Sequence, residues 1–130
     1  MKKILLGLSL FVCLNAEVIT QNIKEFDFTN SDYAVIDVRM PSEYAATGVV
    51  NKAKLITFLN ENGSINPDFL NEISKNYSKD SKIAIMCRSG KRSVMVTKML
   101  EQNGFTNIIN LDGGMNELLK TDIKLVPYQN

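Results

Sequence analysis

The chain has 130 residues, 45% of them apolar and 8% aromatic, which is enough for one hydrophobic core and too little for two. A formal net charge of +1, with no Lys/Arg run outside one short stretch, argues against a nucleic-acid-binding surface. Histidine is absent, which excludes Cys-His and Ser-His-Asp machinery and removes the commonest zinc ligand.

At the start, Lys2 and Lys3 precede the apolar stretch Ile4 to Leu14, and Ala16 offers a cleavage point. This order predicts a secretory signal peptide over residues 1–16, too short to span a bilayer, followed by a single domain over residues 17–130 in the periplasm. Acylation of Cys13, as in a lipoprotein, is disfavoured because Val12 is not small. Cleavage would leave Cys87 as the one cysteine, so an internal disulfide is ruled out and a free thiol remains.

The predicted elements then alternate. Glu17-Val18-Ile19 reads as a short strand, and Thr20 as the cap of a helix with Ile23 and Phe26 on one face. Tyr33 to Val38 is an apolar run of buried-strand length. Pro41-Ser42-Glu43 opens a helix that Gly48 ends. Ala53 to Ile56 reads as a strand, Asn60 to Asn66 as a loop, and Pro67 leads a helix with Phe69, Leu70 and Ile73 inward. Ile83 to Met86 is the next strand and Ser93 to Asn103 the next helix, with Met95, Val96, Met99 and Leu100 on its inner face and Gly104 as its stop. Ile108 to Leu111 is the last strand, followed by Asp112-Gly113-Gly114 and a helical turn or two through Lys120. Strand and helix in this alternation predict an α/β domain with a mainly parallel sheet covered on both faces. Sites in such folds gather at the carboxyl ends of strands, where Asp37, Cys87 and Asp112 fall.

Cys87 is therefore placed in a strand-to-helix turn, within Cys87-Arg88-Ser89-Gly90-Lys91-Arg92-Ser93. The backbone N–H groups of Arg88 to Arg92 are expected to converge on its sulfur or on an anion beside it, helped by the positive end of the following helix. Arg88, Lys91 and Arg92 add cationic charge. Together these favour thiolate, from a free value of about 8.5 toward roughly 3.5–7.5. Gly90 allows the tight turn, and Ser89 and Ser93 supply hydroxyls for a bound anion or charged sulfur. Asp37 at a strand end is suited to holding an arginine. Arg39 and Glu43 have the spacing of a helical ion pair.

This loop, with Ile36-Asp37-Val38-Arg39-Met40-Pro41-Ser42-Glu43-Tyr44 upstream and Leu111-Asp112-Gly113-Gly114 downstream, resembles the single-domain rhodanese, or thiosulfate sulfurtransferase, family across nearly the whole chain from Glu17 to Lys120. Between Gly48 and Ala53, where many members read Gly-His-Ile-Pro-Gly-Ala, this chain has Val49-Val50-Asn51-Lys52, a departure confined to a turn.

The resemblance implies a rhodanese-like three-layer fold. It also implies a reaction in which the Cys87 thiolate takes the outer sulfur of thiosulfate, releases sulfite, and passes the sulfur from a persulfide to cyanide, a small thiol or a partner protein. It implies Arg92 and Arg88 on the sulfonate oxygens, Asp37 and Arg39 in support, and no metal or cofactor beyond the covalent persulfide. A monomer is expected, with small sulfur compounds as partners and neither nucleic acid nor, after cleavage, a membrane. Two other readings use the same fold. Rhodanese-type phosphatases and arsenate reductases place the arginine six residues after the cysteine, where here Cys87 to Arg92 is five, a smaller cradle. Non-catalytic binding modules commonly lose the cysteine that this chain keeps.

Overall fold

The computed structural model describes residues 18–130, so the expected leader lies outside the described residues. A parallel five-stranded sheet organises the molecule. Its strands are β1 (Ile19–Asn22), β2 (Ala34–Asp37), β4 (Lys54–Leu55), β5 (Lys82–Met86) and β6 (Asn107–Asp112), and they lie in the order β1-β6-β5-β2-β4. The helices are α1 (Pro41–Thr47), α2 (Phe69–Asn76), α3 (Lys91–Gln102) and α4 (Gly114–Leu118). The expected mainly parallel α/β architecture is thus the one observed.

β5 is central, with β6 on one side and β2 on the other. Its alternation divides the core in two. Ile83, Ile85 and Cys87 face a cluster with Phe69 and Ile73 of α2 and Val96 and Leu100 of α3. Ala84 and Met86 face the opposite cluster, with Ile23, Leu111, Met115 and Leu118. This two-residue period fixes which side of the sheet each side chain of β5 serves, and it puts Cys87 on the α2–α3 side.

Three local expectations of the fold are corrected. Thr20 caps no helix: it lies within β1, which pairs in register with β6 from Ile19↔Ile109 to Asn22↔Asp112. The capping role falls to Asn22, whose side chain accepts from Lys24 N (2.9 Å) at the start of a 3-10 turn, Ile23–Glu25. Ile23 and Phe26 are buried as expected, because sheet pairing shifts the turn without changing which apolar side chains it must cover. Met95 points outward and is 49% exposed, whereas Ser93, Val96, Thr97 and Leu100 form the buried stripe of α3. These positions keep helical three- and four-residue spacing, and small polar side chains complete the stripe where a longer apolar one was expected. The departure after Gly48 is also more than a turn: β3 (Val49–Val50) pairs antiparallel with β7 (Leu125–Val126), bringing the carboxyl-terminal segment back beside α1. There Tyr128 packs on Tyr44 with ring centroids 5.2 Å apart.

Candidate active site

Cys87 is the first residue past β5, a free thiol with no exposed surface. Its Sγ accepts two backbone hydrogen bonds, from Gly90 N at 3.1 Å and Ser93 N at 3.3 Å. The donors are therefore at the junction with α3 and within its first turn. The loop reaches this shape through Gly90, which sits at φ 105, a left-handed conformation that a residue with a Cβ rarely adopts. Ser93 is fully buried and its hydroxyl donates to Gly90 O at 3.0 Å, so it braces the turn instead of facing an incoming anion. Arg88, Ser89 and Lys91 are exposed around the rim.

The β6–α4 turn fixes the opposite side of the loop. Met115 N donates to Cys87 O (2.8 Å) and Asn116 N to Arg88 O (2.9 Å). Such an approach is possible only at a glycine: a Cβ on Gly114 would lie 2.5 Å from both carbonyl oxygens. The downstream Gly-Gly is thus part of the clamp on the cysteine loop as well as a tight turn.

Asp37 and Arg39 form a support under α1. Asp37 is fully buried and Arg39 is 1% exposed. Arg39 Nε donates to both Asp37 oxygens (3.0 and 3.1 Å), Nη2 to Asp37 Oδ2 (2.9 Å) and Gly48 O (3.3 Å), and Nη1 to Glu43 O (3.3 Å) and Thr47 Oγ1 (3.0 Å). Burial pushes the Asp37 carboxyl above its ordinary value, against the pull of the Arg39 guanidinium and backbone N–H. Tyr44 of α1 donates to Asp37 O at 2.8 Å, and burial, with the Asp37 charge, pushes its phenol well up.

Arg39 accordingly does not pair with the Glu43 carboxylate. That carboxylate grips Arg92 instead, fork to fork, at 2.6 Å (Nη1 to Oε1) and 2.8 Å (Nη2 to Oε2), and also accepts from Met40 N at 3.0 Å. Desolvation pushes Glu43 up, but the Arg92 hydrogen bond, the Met40 N–H and the charges of Arg92 and Arg39 outweigh it, so its pKa falls below the usual carboxylate range. The Glu43 bond is the main reason that Arg92 holds its proton still more tightly than usual. Sequence reasoning missed Glu43 as the partner of Arg92 because the two are 49 positions apart. The signal was the acidic residue at the third position of α1, which meets Arg92 in the first turn of α3.

A sulfur held by convergent backbone donors, at a glycine-turned junction between a parallel strand and a helix, is equipped to carry charge as thiolate or as a terminal persulfide. The rhodanese-like domain model matches residues 20–121, from β1 through α4. The chain belongs to that family. Among rhodanese relatives, Thiosulfate sulfurtransferase 16, chloroplastic, of Arabidopsis thaliana is 30% identical over 103 residues, covering 75% of this chain and 82% of its own. The Putative sulfurtransferase YtwF of Bacillus subtilis is 33% identical over 99 residues, covering 76% and 85%. Other curated relatives are longer, and this chain spans about half of their length. The crystal structure of a rhodanese-like domain protein from Staphylococcus aureus superposes with a TM-score of 0.61 at 27% identity, covering 76% of this chain and 89% of that one. The family and the names of these relatives place the rhodanese domain described here among the sulfurtransferases in general.

Proposed function

We propose that the protein moves a sulfane sulfur from thiosulfate, or another sulfane-sulfur donor, to a thiophilic acceptor through a persulfide on Cys87. The observation that carries this reading is the pair of backbone N–H groups, Gly90 and Ser93, aimed at Cys87 Sγ. In the first half-reaction the thiolate attacks the outer sulfur of thiosulfate, the S–S bond of the donor breaks, and its electron pair leaves with sulfite. The new terminal sulfur carries the negative charge near the loop donors. In the second, an acceptor such as cyanide or a thiolate attacks that terminal sulfur, and the pair returns to Cys87. Because Cys87 has no exposed surface, a donor meets it only by displacing side chains at the rim, which limits attack by water.

Phosphate chemistry fits less well. The loop is one residue shorter than in the fold's phosphatases, and Arg92, which would have to reach phosphoryl oxygens, is engaged by Glu43. Intact-mass spectrometry tests the proposal: thiosulfate should add one sulfur, about 32 Da by its atomic mass, to the wild type. Cys87→Ser should abolish both that gain and thiocyanate formation from cyanide, since a hydroxyl stays protonated near neutral pH. Transfer activity retained in Cys87→Ser would refute the mechanism.

A further inference from the structure

One polar side chain interrupts the buried run of β6. Ile108, Ile109 and Leu111 are apolar and buried, and Asn110 among them is only 3% exposed. Ile109 and Leu111 belong to the cluster on the α4 side and Ile108 to that on the α2–α3 side, so the two-residue period turns Asn110 toward α3. Its Oδ1 is shielded from solvent and accepts no hydrogen bond. Thr97 of α3 is buried too, but its hydroxyl donates to Val94 O at 3.0 Å. A buried oxygen without a donor destabilises the fold, and an apolar side chain at this position would remove that defect.

Asn110 lines a cleft of about 190 Å³ between α3 and the edge strand β1. Val94, Thr97, Lys98 and Glu101 share one face of α3 by their helical spacing and form one wall. Val18 and Thr20 form the other, with Thr20 in register beside Asn110. No residue from Cys87 to Ser93 lines this cleft, so it is separate from the sulfur site. Neither Lys98 nor Glu101 makes an ion pair among the described residues. The cleft thus offers a buried acceptor without a donor, an uncommitted carboxylate, an uncommitted ammonium and two valines.

We propose that this cleft binds a free α-amino acid with a small apolar side chain, held as its zwitterion. The ammonium group donates to Asn110 Oδ1 and to the Glu101 carboxylate, the carboxylate meets Lys98, and the side chain lies against Val18 and Val94. A simple amine would satisfy Asn110 and Glu101 but bring its charge beside Lys98. A simple carboxylate would meet Lys98 but face Glu101 and leave Asn110 without a donor. A molecule that carries both charges matches all three groups.

The test titrates the protein with L-valine, isobutylamine and isovalerate, following backbone amide shifts by NMR. L-Valine should bind with a dissociation constant of about 1 mM, and each half-molecule about tenfold more weakly. The saturating shifts should centre on Thr20, Val94, Lys98 and Asn110. Glu101→Gln and Lys98→Met, both at exposed helical positions, should each weaken valine binding by about fivefold. Asn110→Leu should abolish it while raising the urea midpoint of the unliganded protein, because an orphaned oxygen gives way to an apolar group of similar shape. That opposition of binding and stability is a signature that a purely structural asparagine would not give. Should Asn110→Leu fail to fold, the two surface variants still decide the question. Valine shifts that do not saturate, half-molecules that bind as tightly as valine, or an affinity unchanged in Glu101→Gln and Lys98→Met would overturn the inference.

Discussion

Two arginine–carboxylate pairs flank α1, both bidentate and opposite in consequence. Asp37–Arg39 is sealed, its side chains 0% and 1% exposed, whereas Glu43–Arg92 lies near the surface at 14% and 15%. An arginine has five N–H groups. All of those on Arg39 find protein acceptors. Arg92 spends two on Glu43, with no further acceptor among the described residues. A saturated, desolvated guanidinium has nothing left to offer a ligand and acts as a structural pin. One with donors in reserve can exchange a carboxylate for an incoming anion. Counting donors, more than noting charge, separates the arginine that holds the site from the one that can act in it.

The sharpest way to break this comparison is to remove the pin. Arg39→Ala leaves the Asp37 carboxylate buried without its cation, and should cost about 3–5 kcal/mol in urea unfolding at neutral pH. Burial already pushes Asp37 up, and losing the guanidinium removes the main opposing pull, so the folded variant binds a proton more tightly than the unfolded chain. The deficit relative to wild type should therefore shrink as pH falls through the raised value. A cost near zero at pH 7 would show that the pair is dispensable. Tyr44→Phe is the milder probe of the same support. It deletes the bond to Asp37 O (2.8 Å), but that carbonyl keeps Ile56 N as a donor at 3.2 Å. The expected loss is about 1 kcal/mol, a single net hydrogen bond without an orphaned partner; a loss as large as that of Arg39→Ala would mean that Tyr44 does more than hold this carbonyl.

The contrast also marks how far sequence reading reaches. Strand order aside, the alternating elements were legible because β2, β5 and β6 are apolar runs bounded by turn residues, and because Pro41 and Gly48 punctuate α1. The cysteine at the end of β5 and the glycine that turns its loop were legible for the same local reason. What escaped was set by contacts distant in sequence. Thr20 looked like a cap until β6 claimed it as strand, and Val49–Val50 looked like part of a turn until β7 returned to pair with it. Arg39 and Glu43 have helical ion-pair spacing, yet Asp37 outcompetes Glu43 for Arg39 from two residues away, since it is buried against the Nε–Nη2 edge of the guanidinium. That frees Glu43 for Arg92, a pairing no spacing rule contains. The clamp of Met115 N and Asn116 N on the loop carbonyls was equally invisible, because backbone donors carry no residue signature.

The smallest expected effect belongs to the outer pair. Glu43 is held below the usual carboxylate range in the folded protein, since the bonds from Arg92 and Met40 N outweigh its desolvation. A depressed folded value means that the unfolded chain binds the proton first. The stabilisation is thus fully present above the unfolded value of about 4.3 and is lost as pH falls through the folded one. Partial exposure and screening keep it to about 1 kcal/mol or less. Urea unfolding of wild type and Glu43→Gln should differ by this amount at pH 7, converge once acid has protonated Glu43, and differ less at high salt. Equal stability of the two proteins at pH 7 would mean that shape and the Met40 bond, both of which Gln preserves, account for all that Glu43 contributes. In that case the fork-to-fork contact with Arg92 contributes no net stability and costs little to open.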